Sequence, residues 1–310
     1  MKRLFNFTRV EPMPSGVYHK QSGPDERPPY RIHLRLQPDG QGVLVVNAAT
    51  VLHLNPTAAE YAYHFIRGAA PEEAAREVSK RYRVSRTAAL RDYIDFADRI
   101  QALVTTPDLD PVSNLDFERI APHSRDLTAP LRLDCALTYR LPAGTQAEYA
   151  PTKRVDRELT TDEWAGILDK AWLAGIPHVT FTGGEATLRD DLPDLVARAE
   201  KNGQVCGLLS DGLRLGEKEY RDLLLQTGLD HLLFLLQPAN PDSWKALQAI
   251  MPEDLFVTAH LTVTEANQAD APAVLERLAG VGVGSLSLTF ADRRLSTPEL
   301  LNQAANLGLS

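Results

Sequence analysis

Residues 158–195, ELTTDEWAGILDKAWLAGIPHVTFTGGEATLRDDLPDL, decide the fold of the larger part of this chain. Thr160 and Glu163 have the spacing of a capping box, which predicts a helix beginning immediately after Thr160. The apolar run HVTFTGG follows and predicts a buried strand that ends in the Gly-Gly-Glu sequence 183–185. A helix followed by a buried strand is one repeat of an α/β fold with a parallel sheet.

The same alternation extends over residues 131–310. Helix-like segments separate six strand-like runs, which are apolar on both faces as a helix-covered sheet requires. The runs are LRLDCALTY, HVTFTGG, QVCGLLSDG, HLLFLLQ, FVTAHLTVT and SLSLTF. We therefore predict parallel strands joined by crossover helices, in either an open barrel or a doubly wound sheet.

The first part of the chain is organised differently. Residues 1–30 contain several prolines and are predicted to be an irregular tail. In residues 31–104, strand-like segments flank a Gln-Pro-Asp-Gly turn and precede three helix-like segments, which predicts a small α+β domain. Residues 105–130 are rich in proline, aspartate and serine and are predicted to be a linker.

Composition and charge narrow the class of function. The chain has 310 residues, of which 44% are hydrophobic and 24% are charged, as in a soluble globular protein. Its formal net charge of −8 argues against nucleic acid as a partner, because phosphate binding needs clustered positive charge. No apolar run is long enough to cross a bilayer, and the polar N-terminal segment does not read as a secretory signal. We therefore predict a cytoplasmic protein without a membrane partner.

Glycine and polar residues gather where the predicted strands end, which is where parallel sheets place their functional groups. Gly183 and Gly184 would let a ligand approach the backbone, and the Glu185 carboxylate beside them could pair with a ligand ammonium. Ser210 and Gln237 follow the third and fourth strands. These residues form the candidate site, and a tight turn with a solvated glutamate is the alternative.

The helix, strand and Gly-Gly-Glu sequence of residues 158–190 resemble the corresponding segment of radical S-adenosylmethionine (SAM) enzymes, and a weaker likeness extends over residues 131–289. The resemblance implies a partial (β/α)6 barrel of the TIM type in residues 131–310. It also implies a SAM site, with the Gly-Gly-Glu residues at the amino group of SAM and the serine near its ribose or carboxylate. The implied cofactor-binding residues are Gly183, Gly184, Glu185, Ser210 and Gln237.

The chain departs from this family at the cluster motif. The family carries Cys-x3-Cys-x2-Cys after its first strand, but Leu141, Thr145 and Glu148 stand at the three positions here. The only two cysteines, Cys135 and Cys206, lie within strand-like runs, and a [4Fe–4S] cluster needs more thiolates. We therefore expect no resident cofactor: no cluster, no metal ligands, and SAM binding that is weakened if it occurs.

Three histidines also lie in or beside the predicted strands. His178, His231 and His260 do not have the sequence spacing of metal ligands. We expect them to be core or surface side chains, and no metal site is predicted.

Residues 31–104 resemble PqqD-like domains, which are small winged-helix units that recognise precursor peptides in peptide-modifying systems. Such a domain can add an extended leader peptide to a sheet edge while helix side chains supply pockets. The predicted groove is formed by Ile32, Leu34, Leu90, Tyr93 and Ile94. Packing within the core of the domain is the alternative for the helix residues.

Two functions from different classes fit the sequence. The first is a non-catalytic, radical SAM-like partner protein, a pseudoenzyme that binds a precursor peptide or an active radical SAM enzyme. The second is a cluster-free enzyme or SAM-binding protein that uses the barrel pocket, where Glu148, Glu185, Asp211 and Gln237 offer polar groups. A third alternative keeps iron in the protein by taking ligands from another chain.

Overall fold

The computed structural model describes residues 13–23, 25–47, 50–106, 109–110, 127–143 and 155–309. The chain divides into two compact units. Met1–Leu131 and Ala171–Pro177 form the first unit, and Arg132–Lys170 and His178–Ser310 form the second. Each unit has its own hydrophobic core.

The first unit contains a four-stranded antiparallel sheet. Strands β1, β2, β3 and β4 pair in the order of the sequence. Their bounds are Gly16–Gln21, Arg31–Leu36, Gly42–Val46 and Thr50–Leu54. The turn between β2 and β3 is closed by a 2.8 Å hydrogen bond from the Gln37 N–H to the Gln41 carbonyl. Gly40 adopts a φ of 85° in this turn, which glycine tolerates.

Strand β1 corrects two of the predictions made from the sequence. An irregular tail over residues 1–30 is wrong for residues 16–21, because this proline-free stretch pairs with all six residues of β2. The peptide-binding edge predicted at Ile32 and Leu34 is wrong for the same reason, since β1 lies on one side of β2 and β3 on the other. Both side chains are buried in the core of the unit.

Three helices complete the first unit. Asn55 caps the first by accepting a 2.9 Å hydrogen bond from the Ala58 N–H, and Ser85 caps the third by accepting from the Ala88 N–H. The bounds of α1, α2 and α3 are Pro56–Ile66, Pro71–Arg81 and Arg86–Thr105. The unit is therefore an α+β domain, and its assignment as a winged helix stays a prediction. The predicted linker at residues 105–130 lies largely outside the described residues.

The second unit contains a six-stranded sheet whose strands β5 to β10 are all parallel. Their bounds are Arg132–Thr138, His178–Gly183, Val205–Ser210, His231–Leu235, Phe256–Val263 and Ser285–Phe290. The predicted α/β fold with a parallel sheet is confirmed. The strands lie in sequential order, which excludes a doubly wound sheet because its winding reverses at a switch point. Sequential order is that of consecutive β/α units in a barrel.

Helices cover one face of the parallel sheet, because crossovers of constant handedness in sequential order return on the same side. Their bounds are, for α4 to α9, Thr161–Leu173, Leu192–Asn202, Lys218–Gln226, Pro241–Ile250, Ala271–Val281 and Pro298–Asn306. Alternate strand residues such as Val179, Phe181, Leu208 and Phe234 are buried in this layer. No helix in the described part of the chain has both the length and the hydropathy to cross a membrane.

The other face of the parallel sheet, called the inner face below, is polar at β9 and β10. Thr258 and His260 of β9 lie there with Ser285 and Ser287 of β10. The hydroxyls of Thr258 and Ser285 are 3.1 Å apart, and His260 Nδ1 is 3.0 Å from Ser287 Oγ. The expectation that the strands are apolar on both faces is therefore wrong for β9 and β10, whereas β8 places leucines on the inner face.

Candidate functional site

Gly183 and Gly184 pass close to the end of the neighbouring strand β5. Gly184 donates its N–H to the Thr138 carbonyl at 2.6 Å, and Glu185 donates to the Arg140 carbonyl at 2.9 Å. A Cβ atom at Gly183 would overlap the Thr138 carbonyl oxygen, and one at Gly184 would overlap that of Arg140. Gly183 also has a φ of 140°, which side-chain-bearing residues rarely adopt. The two glycines are therefore required by the packing of β5 against β6, whether or not a ligand is bound.

The Glu185 carboxylate is held by four hydrogen bonds from the protein. Its Oε1 accepts from the Thr187 N–H at 2.9 Å, the Thr187 hydroxyl at 2.6 Å and the Ser210 hydroxyl at 2.8 Å. Its Oε2 accepts from the Asp211 N–H at 2.9 Å. The residue is 3% exposed, so this glutamate is a buried, fully bonded group rather than a solvated one.

The Ser210-Asp211-Gly212 turn after β7 contacts the Glu185 carboxylate. Ser210 is fully buried, and its hydroxyl accepts the Gly212 N–H at 2.9 Å while donating to Glu185. Gly212 has a φ of 71°, and a Cβ atom there would overlap the Phe234 ring. The Ser210 hydroxyl is therefore engaged by Glu185 and Gly212, and its predicted part in cofactor binding stays a prediction.

Asp211 is the second buried carboxyl of the site. Burial, followed by the neighbouring Glu185 charge, raises the pKa of Asp211 to about 6. Its Oδ1 accepts the Leu213 N–H at 3.0 Å, which opposes this rise. When two buried carboxyls lie next to each other, the repulsion between their charges raises the pKa of one of them unless a nearby cation compensates those charges. The sequence signal for this pair was an acidic residue beside a strand-end serine.

Three arginines near the strand ends bond to backbone carbonyls. Arg140 donates to the Leu188 carbonyl at 2.7 Å, and Arg214 donates to the Thr187 carbonyl. Arg189 donates to the Leu137 carbonyl at 3.1 Å and pairs with the Asp191 carboxylate. They hold the Gly-Gly-Glu turn in place, a role that their positions in the sequence did not reveal.

Gln237 lies beyond the end of β8, where its side chain is part of a local turn. Its Oε1 accepts a 3.0 Å hydrogen bond from the Asn240 side chain, and its N–H donates to the Ser243 hydroxyl at 3.2 Å. Among the hydrogen bonds of the described residues, none joins Gln237 to the Glu185 cluster. Its predicted part in cofactor binding stays a prediction.

The predicted peptide-binding residues of α3 separate into two groups. Tyr93 is buried and donates its hydroxyl to the Ala69 carbonyl at 3.2 Å, and Leu90 packs against the core. Ile94 is 43% exposed and faces solvent. Of this set only Ile94 has the exposure of a contact residue.

The two cysteines of the chain lie where they do not suit an iron–sulfur cluster. Cys135 and Cys206 are buried within β5 and β7 in the helix-covered layer, and burial raises the pKa of Cys135 to about 12. A cluster needs accessible thiolates, which these two side chains do not supply. Leu141 has no donor atom, and Thr145 and Glu148 lie outside the described residues. No group of three or more His, Cys, Asp or Glu suited to a metal is present in the described ranges.

The second unit is similar to proteins of known family. Residues 135–275 match the model of the Radical SAM superfamily. A PqqA peptide cyclase of Streptomyces rochei is 34% identical over 140 residues, covering 44% of this chain and 38% of that protein. A PqqA peptide cyclase of Granulibacter bethesdensis is 28% identical over 171 residues, covering 49% and 45%. The chain therefore spans less than half the length of these curated relatives.

Solved structures of Streptococcus suis SuiB have the same fold. SuiB bound to precursor peptide SuiA matches with a TM-score of 0.58 and 14% identity, covering 84% of this chain and 62% of that one. SuiB bound to S-adenosylmethionine matches equally, with a TM-score of 0.58. At this identity the likeness concerns the fold alone.

These comparisons contradict the prediction that the chain has no cofactor. Residues 135–275 match the model of the Radical SAM superfamily, and SuiB, which has the same fold, was solved with S-adenosylmethionine bound. The expectation of a cofactor-free domain was drawn from three missing cysteines and is wrong as a conclusion about the domain. The poor fit of Cys135 and Cys206 to a cluster is a separate observation about their position in the fold.

Proposed function

We propose that this chain, which contains a radical SAM domain over residues 135–275, is a peptide-binding partner subunit in a system that modifies precursor peptides. The observation that carries the proposal is the outer edge of β4, which pairs with no other strand in the described residues. The similar proteins include PqqA peptide cyclases and SuiB bound to a precursor peptide. The match to SuiB covers 84% of this chain, so it extends into the first unit.

The register of the antiparallel sheet identifies the groups that β4 offers to a peptide. Asn47 donates to the Arg31 carbonyl and Gln37 donates to the Gln41 carbonyl, each at 2.8 Å. These bonds direct the odd-numbered residues of β3 toward β2 and the even-numbered ones toward β4. In β4, Val51 therefore directs its N–H and carbonyl outward. An extended peptide can add there as a fifth strand.

The test compares Val51→Pro, which removes the outward N–H, with Val51→Ala, which keeps it. The probe is a fluorescent precursor peptide encoded beside the gene of this chain, and anisotropy measures its affinity. We expect binding to weaken about tenfold or more in Val51→Pro, because proline removes the N–H that would pair with the peptide strand. In Val51→Ala, which keeps this N–H, binding should weaken about twofold or less. Thermal melting checks that both variants are folded. Equal affinities in the two folded variants would contradict binding at this edge.

The positions of the sulfur atoms support a partner rather than a sole catalyst. Cys135 and Cys206 are buried in strands, away from the ends where the candidate site lies. The peptide bound by this chain would then be modified in a complex with a radical SAM enzyme. Co-purification with such an enzyme, and iron analysis of anaerobically isolated chain, test this role. Four irons per isolated chain, with SAM cleavage, would show that the chain is itself the catalyst.

A second candidate function is a SAM-dependent enzyme that works at the strand ends. The Glu185–Asp211 pair favours it, because a buried carboxyl that titrates near pH 6 suits acid–base chemistry. The same pair fits the ammonium group of SAM, since a cation would compensate the charge of two neighbouring carboxyls.

Calorimetry with SAM at pH 6, in buffers of different ionisation enthalpy, tests the fit. If the ammonium of SAM displaces the proton of Asp211, binding releases about 0.5 proton per SAM in the wild type. The Asp211→Asn variant should release none. Binding without proton release, or no binding at millimolar SAM, would count against an ammonium site at this pair.

A further inference from the structure

His178 and His231 face each other at the N-terminal ends of β6 and β8. The Gly-Gly-Glu site lies at the C-terminal ends of the strands, so the two histidines are at the other end of the sheet. The two residues are 53 positions apart in the sequence, yet their Nε2 atoms are 3.2 Å apart and their ring centroids 4.8 Å apart. The sequence analysis expected core or surface side chains at these positions and did not predict that the two residues contact each other.

Gly207 of β7, the strand between them, makes this contact possible. Its register partners are Thr180 on β6 and His231 on β8. A Cβ atom at Gly207 would overlap the Nε2 end of the His231 ring. The imidazole of His231 therefore lies across the backbone of β7 and reaches His178 on the far side. A side chain at this position would separate the two rings.

The geometry of the pair matches two ligands of one tetrahedral metal ion. Zinc binds histidine nitrogen at about 2.0–2.1 Å in tetrahedral sites, so two ligating nitrogens lie about 3.3 Å apart. The observed separation of the Nε2 atoms is 3.2 Å. The two nitrogens are within hydrogen-bonding distance of each other, and a metal ion bound by both would replace that contact.

Thr180 provides an independent sign of a missing ligand. It follows His178 by two residues on the same face of β6 and is the register partner of Gly207. The residue is 9% exposed, and its hydroxyl is buried without a hydrogen-bond partner. Buried hydroxyls normally have partners, so this one indicates a group that completes the cluster. A metal-bound water would be such a group.

We propose that His178 and His231 are two ligands of a Zn²⁺ site on the inner face of the sheet, with Thr180 bonding to a metal-bound water. No third His, Cys, Asp or Glu completes a metal-binding group among the described residues. The remaining coordination positions therefore belong to water or to a small ligand on the inner face. Imidazole donors suit zinc and the neighbouring transition metals better than calcium or magnesium.

The test uses the full chain, stripped of metal with a chelator and titrated with Zn²⁺ in a calorimeter. Co²⁺ serves as a spectroscopic probe, because tetrahedral coordination is visible in its absorption. We expect one Zn²⁺ per chain in the wild type. His178→Gln and His231→Gln should each weaken binding at least tenfold, and Thr180→Val should weaken it a few-fold. Zn²⁺ should raise the melting temperature of the wild type and not that of the double variant His178→Gln/His231→Gln.

The matched control is His260→Gln on β9. His260 lies on the same inner face, but its ring nitrogens are 3.0 Å from the Ser287 hydroxyl and 3.2 Å from the Thr262 hydroxyl. This variant should bind Zn²⁺ as the wild type does. Equal Zn²⁺ affinity in the folded double variant and the wild type, or no binding in either, would overturn the proposal. The contact between His178 and His231 would then be a hydrogen bond without a role in metal binding.

Discussion

The Ser210 hydroxyl donates a 2.8 Å hydrogen bond to the Glu185 carboxylate and thereby joins the ends of β7 and β6. Both residues are buried, so the bond is shielded from water. The glutamate of the Gly-Gly-Glu turn is consequently oriented by the protein before any ligand binds. The Ser210 hydroxyl therefore fixes the orientation of the Glu185 carboxylate.

Removing the Ser210 hydroxyl should destabilise the fold. Ser210→Ala leaves Glu185 Oε1 with one donor fewer and leaves the Gly212 N–H without its acceptor. We expect a loss of about 2 kcal/mol in the free energy of unfolding, measured with urea. Thr289→Ala, at an exposed position of β10, should change it by about 0.5 kcal/mol or less. Equal effects in the two variants would show that the buried bond contributes nothing.

The two glycines of the turn should not tolerate alanine. Gly183→Ala and Gly184→Ala place a methyl group against the carbonyls of Thr138 and Arg140, which are bonded to this turn. We expect each to lower the free energy of unfolding by about 3 kcal/mol or more. Gly280→Ala in α8 meets no neighbouring atom and should raise it by about 0.5–1 kcal/mol. A mild effect at Gly183 or Gly184 would mean that β5 is not packed as described.

Replacing Asp211 should change how stability depends on pH. The folded state raises the pKa of this carboxyl from its ordinary value to about 6, so the folded state binds the proton more tightly than the unfolded state. The resulting stabilisation is complete below about pH 4 and is lost as the pH rises through 6. Asp211→Asn removes this loss and keeps an acceptor for the Leu213 N–H.

We therefore expect Asp211→Asn to be more stable than the wild type at pH 7.5, by about 1–3 kcal/mol, and to approach it at pH 4. Urea unfolding at both pH values measures the difference. Subtracting the two proteins cancels carboxyls with lowered pKa values, such as Glu158 and Asp191, which act in the opposite direction. A difference that does not vary with pH would contradict the raised pKa of Asp211.

Local patterns in the sequence were enough to predict the elements of the second unit. Capping spacing at Thr160 and Glu163 is seen in the structure, where the Thr160 N–H donates to Glu163 at 2.9 Å. The alternation of helices and strands predicted the parallel sheet, and the Gly-Gly-Glu stretch was placed correctly at a strand end. Such features depend on neighbours within a few residues, so the sequence states them directly.

Other features arose only when distant segments met. Because β1 pairs with β2, the strand edge predicted to bind a peptide is already occupied. The six residues of β1 have no sequence pattern strong enough to predict this strand. The four bonds on Glu185 come partly from a turn 25 residues away. His178 and His231 meet because Gly207 lies between them in the sheet. Sequence by itself determined which segments are helices and strands, because periodicity and caps are local. Tertiary structure alone decided which polar groups of distant segments come into contact, because those distances are set by strand register.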